Sequence, residues 1–162
     1  MVTNLVMYEE EFDRIKLLLE TLRMDASAKI VFLVDKNGQQ IAEAGEVNLV
    51  DATSLASLTA GNVAATDGLA KLIGEKEFSI LFHEGRKDNI HIPIVGQRLI
   101  LVVIFDERSS LGLVRLRVRK ASAEIERVLN EMETKSQMVG AVETISPFAE
   151  ITDDDIDALF SE

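Results

Sequence analysis

DATSLASLTAGNVAATDGLAKLIG, residues 51–74, is the stretch whose reading decides the fold. Asp51 or Thr53 can cap the free N–H groups at its start, and Gly74 stands where a left-handed terminating residue is wanted, so the spacing predicts one helix from Asp51 to Gly74. Projected at roughly 100° per residue, Leu55, Leu58, Asn62, Ala65, Leu69 and Ile73 form a stripe suited to packing on a sheet. The opposite side carries Ser57, Ala60, Ala64 and Gly68, with only Asp67 and Lys71 to meet water. A solvated helix face normally carries Lys, Glu or Arg, and glycine inside a helix costs roughly 1 kcal/mol against alanine. Gly61 and Gly68 therefore imply steric room for a second burial, against another molecule or, as the alternative, under further elements of the same domain, of which the chain has few.

Length and composition bound what surrounds this helix. With 162 residues and 47% hydrophobic content the chain can bury a core and has room for one domain and an extension. Its net charge of −11 argues against nucleic acid or an anionic membrane as partner, because phosphate contact needs clustered Lys and Arg. A protein partner with a basic patch suits it better. The absence of cysteine excludes disulfides and thiolate chemistry, no signal peptide precedes the acidic run Glu9-Glu10-Glu11, and no stretch is apolar enough to insert in a membrane, so a cytoplasmic placement is expected.

Upstream, Tyr8, Phe12, Ile15, Leu19 and Leu22 recur at helical spacing and predict an amphipathic helix from Tyr8 to Asp25. Two apolar runs, Lys29 to Asp35 and Gln39 to Ala44, flank Asn37-Gly38, a strong hairpin signal. Downstream, Phe78 to Glu84, Asn89 to Val95 and Arg98 to Phe105 read as a three-stranded meander, with Pro93 requiring a bulge or a neighbouring edge. The Phe78 to Glu84 strand has neither Pro nor Lys to guard its edge, and a second copy is the economical partner for it. Leu111, Val114, Val118, Ala121, Ile125, Val128 and Met132 predict a long helix from Ser110 to Lys135. The fold class is thus α+β, a five-stranded antiparallel sheet in the order αββαβββα, with the first and last helices on one face and the central helix on the other.

Residues 1–135 form the domain in this reading, 136–147 a linker and 148–162 an acidic tail, in which Ile156, Leu159 and Phe160 could line about two helical turns. The chemistry of an enzyme is missing: there is no G-x-S-x-G, P-loop or G-x-G-x-x-G, and no catalytic or cofactor-binding set is expected. His83 and His91 flank a turn without a further ligand pair, so no metal site is expected. Arg115, Arg117 and Arg119 lie at helical spacing rather than on a mobile loop, which argues against an arginine finger. A ligand-sensing domain would need converging polar residues, and the sequence displays no such set.

Five stretches together resemble the roadblock/dynein-light-chain family: TSLASLTAGNVAA at 53–65, VMYEEEF at 6–12, VFLVDKNG at 31–38, SSLGLVRLR at 109–117 and SPFAEI at 146–151. The resemblance covers nearly the whole chain and implies a homodimer joined through the strand Phe78 to Glu84, whose paired central helices form a platform for a Ras-like small GTPase in its GTP form. It further implies acceleration of hydrolysis without an inserted arginine, and a tail linked to GTPase contact and nucleotide exchange. Combined with the helix projection, it assigns Ala56, Ala60, Ala64, Asp67, Gly68 and Lys71, with Phe148, Ile156, Leu159 and Phe160 of the tail, to the GTPase. Ser57, Gly61, Phe78, Ile80 and Phe82 fall to the dimer interface. A passive dimeric adaptor with no effect on hydrolysis is the alternative.

A tethered acidic segment with apolar anchors gains from effective concentration what it lacks in intrinsic helix stability. Truncation before Pro147 is expected to leave the melting temperature and oligomeric mass unchanged, while weakening GTPase association and its salt dependence in a binding titration. Loss of oligomer stability with unchanged GTPase affinity would make the segment a structural strap instead.

Overall fold

Leu99–Phe105, LILVVIF, has no exposed residue, which requires cover on both faces of the sheet that contains it. The computed structural model describes residues 8–144, with side chains to residue 138, and supplies that cover. Its elements are α1 (Glu9–Asp25), β1 (Ile30–Asp35), β2 (Gln40–Gly45), a 3-10 turn at Val47–Leu49, α2 (Ala52–Leu72), β3 (Ile80–Glu84), β4 (Asn89–Val95), β5 (Leu99–Phe105) and α3 (Leu111–Thr144). The strands form one antiparallel sheet in the order β2-β1-β5-β4-β3, which leaves β3 at an edge. This is the α+β architecture read from the sequence.

Alternation along β5 divides the interior in two. Leu99, Leu101, Val103 and Phe105 pack with Ile15, Leu19 and Leu22 of α1 and with Val114, Val118, Ile125 and Met132 of α3. Ile100, Val102 and Ile104 face the other way, with Ile30, Phe32 and Val34 of β1 and Ala56 and Val63 of α2. Tyr8, Glu11 and Lys135 tie the two helices of the first layer together: Lys135 Nζ lies 3.2 Å from the buried Glu11 carboxylate and 4.4 Å from the Tyr8 ring centre.

Pro93 sits in β4, an inner strand, and is accommodated without a bulge. Ile94 N–H donates to Ser79 O at 2.9 Å, so the N–H groups of alternate residues, and the nitrogen of Pro93, turn toward β5. There the ladder lapses between the His91–Val103 and Ile94–Ile100 pairs and resumes in the same register. Three further differences from the sequence reading concern element ends. β3 begins at Ile80 rather than Phe78. The 3-10 turn before α2 was not foreseen, and α3 runs to Thr144, so residues 136–144, read as linker, are helical. Loss of apolar periodicity after Met132 marks the end of core contact there, and does not by itself end the helix, which runs on to Thr144.

The main correction is the rotation of α2. Ala56, Thr59, Ala60, Val63 and Ala70 are its buried residues, while Leu58, Leu69 and Ile73, assigned to the core by projection, are exposed. The reason lies in the β1–β2 turn. Gly38 adopts φ +89°, and a Cβ there would stand 3.2 Å from Ser57 Cα and 3.6 Å from Ala60 Cβ. The helix rests almost directly on the turn, and only small residues fit beneath it.

This orientation separates two neighbouring alanines. Ala60→Leu is expected to cost about 1–3 kcal/mol in urea unfolding through overpacking, whereas Ala64→Leu, on the exposed side, should lie within about 0.5 kcal/mol of the parent. The reverse order would restore the projected orientation.

Candidate partner interface

The outer surface of α2 is built from residues that a solvated helix would not choose. Its start is fixed by Asp51, whose carboxylate accepts from the Ser54 hydroxyl at 2.8 Å and from the Ser54 N–H at 3.2 Å. These hydrogen bonds, the hydroxyl's first, hold the Asp51 carboxyl below its ordinary value. From there Ser57, Leu58, Gly61, Ala64, Ala65, Gly68, Leu69 and Leu72 are all exposed. Leu58 is 73% exposed, Leu69 59% and Leu72 82%, so three large aliphatic side chains meet water on one helix. The helix carries just two charges, the half-buried Asp67 and the exposed Lys71 near its end. Contiguous apolar surface of this kind marks a contact site.

The glycines support the same conclusion. A Cβ added at Gly61 or at Gly68 would meet no atom within 4 Å, so nothing in this fold requires glycine at either position. Their cost in helix stability is therefore not offset by packing among the described residues.

Two flanks of this surface are distinguished by their neighbours. Asn62 Nδ2 and His83 Nε2 lie 2.9 Å apart, which turns the Leu58, Ala65 and Leu69 flank toward β3. Ser57 sits above Gly38, so the Ser57, Ala64 and Lys71 flank leans toward the β1–β2 turn, with Gly61 and Gly68 between the two. Beyond His83 the sheet ends in β3, which pairs with β4 on one side and, among the described residues, with nothing on the other. Ile80 is 45% exposed and Phe82 38%, and Phe82 stacks on Phe105 at 6.3 Å between ring centres. Phe78 is half-buried just ahead of the strand. His83 thus brings the outer face of α2 to the open strand edge with its unpaired backbone groups, whereas the side chains of Ile80 and Phe82 project on the other face of the sheet, with Phe105 and α3.

Of the residues assigned from sequence, Ala64, Gly68 and Lys71 lie on the exposed surface, as do Ser57, Gly61, Ile80 and Phe82. Ala56 and Ala60 are withdrawn from the partner surface, because both are buried beneath the helix where it meets the β1–β2 turn. Asp67 is half-buried. Phe148, Ile156, Leu159 and Phe160 lie outside the described residues. Leu58, Leu69 and Leu72 were missed as surface residues; their signal was the lack of charge on both faces of the helix. The two histidines point to opposite faces of the sheet, since His83 pairs with Ile90 and His91 with Phe82. Among the described residues no cluster of three His, Asp or Glu is arranged to hold a metal, and no helix is long and apolar enough to cross a membrane.

Residues 14–105 match the family model described as the Roadblock/LC7 domain. Among solved structures, MglB of Myxococcus xanthus is 62% identical and superposes with a TM-score of 0.75, covering 79% of this chain and 96% of its own. The gliding protein MglB of Thermus thermophilus is 32% identical, with a TM-score of 0.73 over 81% of this chain and 99% of that one. An MglB with a tetrameric arrangement is 30% identical, with a TM-score of 0.74 over 82% and 99%. No match to the chain was found among curated proteins.

An exposed apolar face continuous with an open strand edge is expected to be covered by a second copy. Light scattering of the full chain should give about twice 17.9 kDa, and Leu58→Glu with Leu69→Glu should halve that mass while circular dichroism is unchanged. A monodisperse monomer of the parent chain at micromolar concentration would contradict the pairing.

Proposed function

Because this chain belongs to the Roadblock/LC7 family, we propose that it is a homodimeric regulator of a Ras-like small GTPase of the MglA type, bound in its GTP form, in a cell-polarity or gliding-motility switch. The observation that carries this is the outer face of α2, which exposes Leu58, Leu69 and Leu72 and bears a single exposed charge, Lys71. In this reading the Leu58, Ala65 and Leu69 flank joins the two copies beside paired β3 edges, with Ile80 and Phe82 at the border. The Ala64, Gly68 and Lys71 flanks of the two helices then form the GTPase platform, joined by Ser57, which the sequence reading gave to the dimer interface but which sits above Gly38 on this flank. Gly61 serves close approach at the seam between them. The tail, residues 148–162, reaches the bound GTPase through Phe148, Ile156, Leu159 and Phe160 and aids binding or nucleotide exchange.

Activation proceeds without an arginine finger. Arg115, Arg117 and Arg119 belong to a regular helix that covers the sheet face opposite α2, and a rigid helix across the sheet from the platform supplies no mobile finger. Arg108 is engaged by Asp106 at 3.0 Å. What remains is selection of a hydrolysis-competent arrangement of the GTPase's own switch regions, through differential contact with the platform. The protein is a regulator in this account, and the chemistry belongs to its partner.

Two measurements test the reading. Single-turnover GTP hydrolysis by the partner should accelerate when this protein is added, and Ala64→Arg with Gly68→Arg should abolish the effect without altering the fold. Unchanged turnover with tight binding would make the protein a passive adaptor. Arg86→Ala, Arg108→Ala, Arg115→Ala, Arg117→Ala and Arg119→Ala should each retain most of the stimulation, since loss of a true finger lowers the rate by about 10³–10⁵. A collapse of that size at one arginine, with binding preserved, would overturn the mechanism.

A further inference from the structure

Ser79, His91, Arg115, Arg119 and Ser122, dispersed in the sequence, meet around one cleft of about 330 Å³ between α3 and the β3–β4 end of the sheet. The cleft lies on the sheet face away from α2, and Ile80, Pro93, Val118 and Ala123 supply its apolar wall. Nothing in the sequence hints at this convergence, because the residues come from separate elements at unrelated spacings.

Three features distinguish the cleft from ordinary surface. The His91 ring is 1% exposed, and its Nδ1 has no hydrogen-bond partner. Buried polar atoms are rarely left unsatisfied, which sets this wall of the cleft apart from an ordinary packed surface. Burial, and secondarily the nearby Arg115, push its pKa down to about 4, so the ring is neutral at physiological pH. Second, Arg115 and Arg119, one helical turn apart, form no ion pair among the described residues. Other arginines at α3 do so readily: Arg14 with Glu131, Arg98 with Glu133, and Arg127 with Glu124. Two free guanidinium groups are conspicuous in a chain of net charge −11. Third, the one carboxylate lining the cleft, Glu126, accepts from the Gly96 N–H at 3.2 Å and stands about 10 Å along the helix axis from Arg119. The cleft has a cationic end and an apolar wall.

We propose that this cleft binds a small phosphomonoester with an apolar body, its phosphate held by Arg115 and Arg119 with the hydroxyls of Ser79 and Ser122, and its body lying on Pro93 and Val118. A phosphomonoester carries close to two negative charges at neutral pH, which two guanidinium forks match. The volume is at the lower end of the range for small-ligand sites, and the acidic balance of the remaining surface disfavours an extended polyanion.

Phenyl phosphate titrated into the full-length protein, followed by calorimetry and by the imidazole NMR signals, tests the assignment. Saturable binding at one site per chain is expected, with the His91 ring shifting and that of His83 unmoved. Arg115→Ala and Arg119→Ala should each weaken binding about tenfold or more, inorganic phosphate should bind more weakly than phenyl phosphate, and phenol should not bind measurably. Ser122→Tyr, which fills the cleft without changing charge, should also abolish binding. A phosphotyrosyl peptide titrated in parallel separates the two sources of this group: tighter binding than phenyl phosphate assigns the site to a phosphorylated chain, equal or weaker binding to a free metabolite. Absence of saturable binding, binding undiminished in the double arginine variant, or phenol binding as tightly as phenyl phosphate would overturn the proposal.

Discussion

The close seating of α2 on the β1–β2 turn is the constraint from which the rest of the molecule follows. Gly38 leaves no room for a side chain under Ser57 and Ala60, so where the helix crosses the turn it must present small residues such as Ala56 and Ala60. Ala56 and Val63 then pack with Phe32 and the even-numbered side of β5, and close contact supplies dispersion energy that small side chains at longer range could not. The consequence appears on the opposite side. With Ala56, Ala60 and Ala70 turned inward, Leu58, Leu69 and Leu72 stand in water. The surface that identifies an interface is thus generated by the packing that builds the core.

The sheet extends this logic to its border. Both faces of β5 are buried, and cover thins outward until β3 retains half-exposed Ile80 and Phe82 and one unpaired edge. The Asn62 to His83 contact joins that edge to α2, so any molecule that covers one also meets the other. The lapse in the β4–β5 ladder at Pro93 lies on the inner side of β4, leaving the pairing with β3 intact. On the opposite face α3 carries out two tasks. Its apolar stripe closes the larger core, while Arg115 and Arg119 project beside it into the cleft around His91.

Much of this was legible in the sequence because the signals are local. Asp51 caps α2, Asn37-Gly38 makes the hairpin, and the three- and four-residue spacings give α1 and α3. The rotation of α2 was not legible, for a definite reason. Both of its faces are apolar, so hydrophobicity cannot choose between them, and the deciding contact is steric and comes from a turn in another part of the chain. The same reasoning placed Ala56 and Ala60 on the partner surface and Leu58 and Leu69 in the core. The histidine–arginine cleft was invisible because strand register, unreadable from one chain, brings His91 beneath α3. Helix length past Lys135 was missed because apolar periodicity records core contact, and α3 continues beyond it.

The central claim is that the outer face of α2 and the edge of β3 are covered together by a second copy, and the edge amides report on it most directly. Alternate N–H groups of β3 pair with β4, which leaves those of Ile80 and Phe82 directed at the open edge. Residue-resolved amide exchange of the full chain should show both as strongly protected, losing that protection when Leu58→Glu with Leu69→Glu removes the helix contact. Rapid exchange of Ile80 and Phe82 in the parent protein, at concentrations where the mass is that of two chains, would contradict the account.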